Sequence, residues 1–194
     1  MSAAAPAYPI GLEIDAPAPQ NRLSVLLRCF YMIPHAIALM FVGIAANAVA
    51  VIAWFAILFT GKYPEGMLNF SVGALRWQVR ATGYMWLMTD KYPPFSLEED
   101  SAYPLRLVGS GQVEGRNRLT CFFRPLMALP HLIVLGILFV VGYVVLVVAW
   151  FAALFGGSVP QGLHDFMAGL GRWYTRVSAY AMLLTDEYPP FSLS

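Results

Sequence analysis

The sequence predicts an all-α integral membrane protein built as a tandem duplication of one helix-hairpin module. Three observations point there. Hydrophobic residues make up 59% of the chain and charged residues only 12%, about half the roughly 25% charge of ordinary soluble domains. A chain of 194 residues has little interior in which to hide so much apolar surface from water. Two uncharged apolar runs, His35–Thr60 and His131–Phe155, exceed the roughly 20 residues needed to cross a bilayer. Finally, the marker residues of the first half return in the second, which is the signature of an internal repeat.

The repeat covers nearly the whole chain. Tyr8-Pro9 recurs as Tyr103-Pro104, and Asn21-Arg22-Leu23 as Asn117-Arg118-Leu119. Pro34-His35 returns 96 residues later as Pro130-His131, and the same shift carries Arg28 to Arg124 and Trp54-Phe55 to Trp150-Phe151. It also carries Arg76-Trp77 to Arg172-Trp173, Arg80 to Arg176, and Thr89-Asp90 to Thr185-Asp186. Tyr92-Pro93-Pro94-Phe95 then matches Tyr188-Pro189-Pro190-Phe191. The modules are taken as residues 1–100 and 101–194, a duplication rather than a solenoid, which needs three or more units.

Each module reads in four parts. A short extended stretch opens it (YPIGLEID, then YPLRLVGS), and a basic, amphipathic lead-in follows (NRLSVLLR, then NRLTCFFR). A long apolar helix comes next, Pro34–Thr60 and Pro130–Phe155. A Pro/Gly turn leads to a second helix ending at Asp90 or Asp186, where paired prolines forbid continuation. The first twenty residues lack the basic start and apolar core of a signal peptide. The first apolar helix is therefore expected to direct its own insertion, which favours a bacterial inner membrane.

The apolar helices are the two firm crossings, with Trp54 and Trp150 near one end, where aromatic rings favour the interface. The second helices are amphipathic. Met67–Met88 carries Arg76 and Arg80 near its middle, and each central Arg costs roughly 2.5–3.5 kcal/mol on insertion scales. Such a helix either spans with its polar stripe facing inward or lies flat at the interface. Charge balance favours four crossings. Two crossings per module place Arg22, Arg28, Arg106, Arg116, Arg118 and Arg124 on one side against Lys62 on the other, which matches the positive-inside rule with cytoplasmic termini.

Arg76/Arg80 and Arg172/Arg176 sit at i, i+4, so each pair projects from one helix face. The planar guanidinium fork suits phosphate and carboxylate, which makes the four arginines candidates for an anionic lipid headgroup. The competing reading is internal, an ion pair with Asp90 or Asp186 or snorkelling to the headgroups. His35 and His131 are candidate axial ligands for haem or a chlorophyll-type pigment, or else interfacial histidines bonded to backbone. Asp90, Tyr92 and Phe95, with Asp186, Tyr188 and Phe191, form a rigid exit motif, either a structural stop or a partner-binding ledge. His164 aligns with Leu68 and is given no role. Cys29 and Cys121 have no metal or redox spacing. No Gly-rich phosphate loop, His-Glu-x-x-His or Gly-x-Ser-x-Gly occurs, and no basic run suggests nucleic acid.

The Arg…Pro-His lead-in, Trp-Phe followed by Gly-Lys-Tyr-Pro-Glu-Gly, Arg-Trp-x-x-Arg and Thr-Asp-x-Tyr-Pro-Pro-Phe together resemble an uncharacterised bacterial integral membrane family, a domain of unknown function. The resemblance covers both repeats and implies fold and membrane location, but no activity. The second module loses the Lys-Tyr-Pro-Glu turn, which speaks against an essential role for Lys62 or Glu65. The expectation is a non-catalytic accessory or scaffolding subunit packing against a larger membrane protein complex. The alternative is an anionic lipid- or anion-binding protein or carrier that uses the paired arginines. No metal or cofactor is expected; bound membrane lipid is.

Overall fold

The computed structural model describes residues 8–194. Residues 1–7, which open the segment read above as lacking a signal peptide, lie outside the described residues. In chain order the elements are β1 (Ile10–Ile14), α1 (Arg22–Thr60), α2 (Glu65–Met85), β2 (Leu105–Gly109), α3 (Arg118–Gly156) and α4 (Gln161–Ala181).

Local chemistry sets the helix ends. Asn21 Oδ1 accepts the N–H groups of Leu23 and Ser24, and Asn117 does the same for Leu119 and Thr120. These are the side-chain caps that helix N-termini require. At the far ends Gly61 and Gly157 take left-handed φ values of 74° and 79° and close α1 and α3. The lead-ins do not stand apart from the apolar helices, as the sequence suggested. Each long helix runs unbroken for 39 residues through Pro34, or through Pro125 and Pro130. Contacts made by the lead-in itself outweigh the hydrogen bond each proline removes. The second helices end at Met85 and Ala181, short of Asp90 and Asp186, because Leu87 and Leu183 turn left-handed just beyond (φ 61° and 63°).

The two modules interlock about a pseudo-two-fold axis. The opening strands of the two modules pair antiparallel with Leu12 opposite Leu107, residues that occupy the same position in the repeat. The Trp54 indole N–H donates to the Cys121 carbonyl (2.9 Å), and its counterpart Trp150 donates to the Val25 carbonyl (3.1 Å). Gln20 N–H reaches Gly157 O (2.8 Å), and Arg116 N–H reaches Gly61 O (3.3 Å). The start of each long helix therefore lies beside the end of the other, and α1 and α3 run antiparallel.

The packing has three layers. The β1/β2 sheet lies on α4 and α2 and touches neither long helix. Helices α2 and α4 form the middle layer, crossing where Gln78 Nε2 donates to the Tyr174 hydroxyl (2.6 Å). Helices α1 and α3 form the outer layer. Both are long and apolar enough to cross a membrane, with only 11% and 17% of their most apolar stretches buried. This order corrects one expectation. Four crossings with both lead-ins on one side need parallel long helices, whereas the axis makes α1 and α3 antiparallel and sets the lead-ins at opposite ends of the pair.

Gly109 holds the strand pairing in place. Its φ is +93°, and an added Cβ would lie 1.9 Å from the Pro9 carbonyl oxygen. Gly109→Ala is expected to cost more than the roughly 1–2 kcal/mol of a left-handed non-glycine residue. Gly115→Ala, at φ +67° but with no atom nearer than 4.0 Å, isolates the backbone cost. Thermal unfolding of both variants in detergent measures the difference, with the larger loss expected for Gly109→Ala.

Candidate functional site

Each module folds its exit segment back onto its own helices. His35 is fully buried. Its ring stacks on Phe95 (3.8 Å between centroids, 14° between planes), with Tyr92 at 4.9 Å and Trp77 edge-on at 5.9 Å. The Trp77 indole N–H donates to His35 Nδ1 at 3.0 Å. That bond assigns the neutral ring's proton to Nε2, which has no hydrogen-bond partner among the described residues. His131 repeats this with Phe191, Tyr188 and Trp173. The Tyr92 and Tyr188 hydroxyls pin the segment by donating to the carbonyls of Tyr31 and Met127.

The arginine stripe binds the same segment. Arg76 Nη1 donates to Leu97 O at 3.0 Å, and Arg80 Nη2 donates to Ser96 O at 2.5 Å and Glu98 O at 3.1 Å. Arg176 holds the carbonyls of Ser192 and Ser194 in the same way, while Arg172 stays half-buried. Gly73 and Gly169, on this face, let the segment approach. A Cβ at either would lie 2.9 Å or less from Leu97 or Leu193. The shared polar face read from the sequence is present, but its occupant is the chain's own backbone. Neither Asp90 nor Asp186 pairs with these arginines.

Those carboxylates belong to a second cluster, which sequence reasoning missed. Arg28 in the lead-in is 2% exposed and pairs with Asp90 at 3.0 Å. It also donates to Gln20 Oε1 at 2.7 Å, to Thr89 O at 3.2 Å and to Tyr84 O, and it lies 4.3 Å above the Tyr84 ring. Asp90 in turn accepts the Asn21 N–H and the Ser24 hydroxyl. In the second module Arg124 meets Asp186 at 2.6 Å and stacks 4.0 Å above Tyr180. Arg116, which replaces Gln20, adds a second pair to Asp186 at 2.8 Å. Arg28 and Arg124 thus add a second donor to the last-turn carbonyls of α2 and α4, which also accept the N–H groups of Leu87 and Leu183. The recurrence of Arg28 as Arg124 was the signal that could have found them.

Little of this is free for chemistry. The two histidines are enclosed separately by their own modules, each with Nδ1 occupied, so ligation of a shared iron requires both cages to open. Among the described residues no three His, Cys, Asp or Glu side chains converge as a metal site would require. A polar-edged cavity of about 430 Å³ beside α1 is lined by Asn47, Gln78 and Thr82, and two further grooves are mainly apolar. A groove of about 450 Å³ runs between α1 and the start of α3, lined by Val51, Trp54, Phe55, Pro125 and Ala128. Its symmetry mate, about 250 Å³, is lined by Cys29, Val147 and Trp150 among others.

Burial raises the Asp186 carboxyl, but Arg116, the Asn117 N–H and Arg124 outweigh it and hold the group below its ordinary value. A depressed carboxylate stabilises above its unfolded-state pKa and loses that contribution as pH falls through the folded value. Unfolding midpoints measured from pH 6 down to about pH 3 are therefore expected to fall on the acid side for the wild type. In Asp186→Asn they start lower and vary less.

The profile of a family described as Domain of unknown function (DUF4389) matches residues 22–96 and again residues 118–192. No curated protein and no solved structure matches the chain.

Proposed function

From the premise that this chain belongs to the DUF4389 family in two tandem copies, we propose that it is a non-catalytic membrane protein, an accessory or scaffolding subunit of a larger complex. The observation that carries this reading is the contrast between its polar and apolar surfaces. The buried guanidinium groups and the rings of His35 and His131 are engaged by the chain's own backbone and side chains, and among the described residues no assembled set of acid, base and nucleophile is left. Large apolar side chains such as Phe41, Ile44 and Val140 stand 63–68% exposed, and contiguous exposed apolar surface marks a lipid or protein contact.

Purification in mild detergent, read by native gel, absorbance and mass spectrometry, tests the proposal. A co-migrating membrane protein in fixed stoichiometry is expected, in a colourless sample. A partner-free particle would overturn the subunit reading.

The paired grooves favour a second reading, in which the protein holds lipid acyl chains at the two α1/α3 junctions. The arginine clamp of the sequence reading moves with it, because Arg76, Arg80 and Arg176 already hold the exit segments. Filling both grooves with Val51→Trp and Val147→Trp should lower co-purifying lipid at least twofold while the fold persists. Unchanged lipid content would remove this alternative.

A further inference from the structure

We infer that α1 and α3 lie in the plane of a single membrane leaflet rather than crossing the bilayer, so that both ends of each long helix face the same aqueous side. The inference rests on the membrane reading above and adds the orientation.

Symmetry supplies the first reason. Two antiparallel helices exchanged by a two-fold axis must run perpendicular to it, and the axis here passes through Leu12–Leu107 and Gln78–Tyr174. If α1 and α3 crossed a bilayer, the axis would lie in the membrane plane. The β1/β2 sheet would then sit at mid-depth on the outside of the molecule. Its open edges would have no water to bond, and Arg106, paired with Asp15 at 2.7 Å and Glu13 at 3.6 Å, would face hydrocarbon. Turning the axis along the membrane normal removes the conflict. The sheet and the charged loop around Lys91 to Asp100 then face water, and the α1/α3 layer faces lipid.

Length supplies the second. Exposed apolar side chains run from Leu23 and Phe30 through Phe41 to Phe59 on α1, and from Leu119 to Phe155 on α3. At about 1.5 Å per residue that is roughly 54 Å of apolar surface, against a hydrocarbon core about 30 Å thick. A crossing helix would leave one end of that stripe in water. A helix lying flat uses all of it, and its diameter of about 10–12 Å fits one leaflet, half the core. Exposed Arg22, Arg118 and Lys62 at the helix ends fall at the headgroups, where cations of an in-plane helix belong.

The chain's two lysines decide the matter without any substitution. Lys62 follows the end of α1. Lys91 lies beside its start, since the adjacent Asp90 accepts the N–H of the helix cap Asn21. Both are exposed. Sealed right-side-out and inverted membrane vesicles containing the full chain would be treated with a membrane-impermeant amine reagent, and the lysines read by mass spectrometry. The in-plane arrangement expects both lysines to label in one vesicle orientation, to within about twofold, and neither in the other. Labelling of Lys62 in one orientation and Lys91 in the other would overturn it in favour of crossing helices. Cysteines placed at the open positions Gly66 and Gly162, in a chain with Cys29 and Cys121 replaced, repeat the comparison with an impermeant maleimide. Release by alkaline carbonate as a detergent-free dimer would instead overturn the membrane reading itself, with a second copy covering the apolar face.

Discussion

The fold depends on two buried guanidinium groups. Arg28 and Arg124 each reach from the first turns of a long helix to the last turn of a short one, where they meet backbone carbonyls and an aspartate. A buried charge costs several kcal/mol unless it is paired and hydrogen-bonded; here the two Nη groups of each arginine make those bonds while Nε has no partner among the described residues, so the aim of the Nη groups fixes the geometry. The lead-in must be helical to aim the arginine, and the short helix must stop where its carbonyls can be captured. The left-handed turn at Leu87 or Leu183, adverse for a branched residue, is held by what is bonded around it. Everything downstream, including the fold-back of the exit segment onto the histidine, starts from that stop.

Around this anchor each module repeats one economy. Polar groups that could have been aimed at a ligand are turned toward the chain's own irregular backbone. The exit segment has no regular structure with which to bond itself, and its carbonyls accept from Arg76, Arg80 and Arg176 instead. Its aromatic rings shield the histidine, whose Nδ1 accepts the tryptophan indole N–H. The outer faces of α1 and α3 are left to carry whatever contact the protein makes with its surroundings.

Much of this was legible in the sequence, and the failures have physical causes. The duplication, the apolar helices, the Pro/Gly turn after the first of them and the common face of Arg76 and Arg80 follow from spacing alone. The occupant of that face could not be read, because a carbonyl of the same chain and a headgroup oxygen make the same demand on an arginine. Pro34 and Pro130 suggested helix starts, but a proline reports only a missing N–H, and the tertiary bonds of Arg28 and Arg124 outweigh it. The antiparallel setting of α1 and α3 was the deepest loss. It is written in the strand register and in Trp54 and Trp150, whose partners lie in the other module and leave no periodicity behind.

The contact between Gln78 and Tyr174 is one that only a tandem chain can make. In a homodimer of single modules, the residue on the axis would have to bond an identical copy of itself. Here an amide meets a phenol, a pairing open only to halves joined in one polypeptide. The same freedom appears where Arg116 stands against Gln20 and His164 against Leu68. Joining the two modules in one polypeptide lets the halves differ at the seam while they share one scaffold.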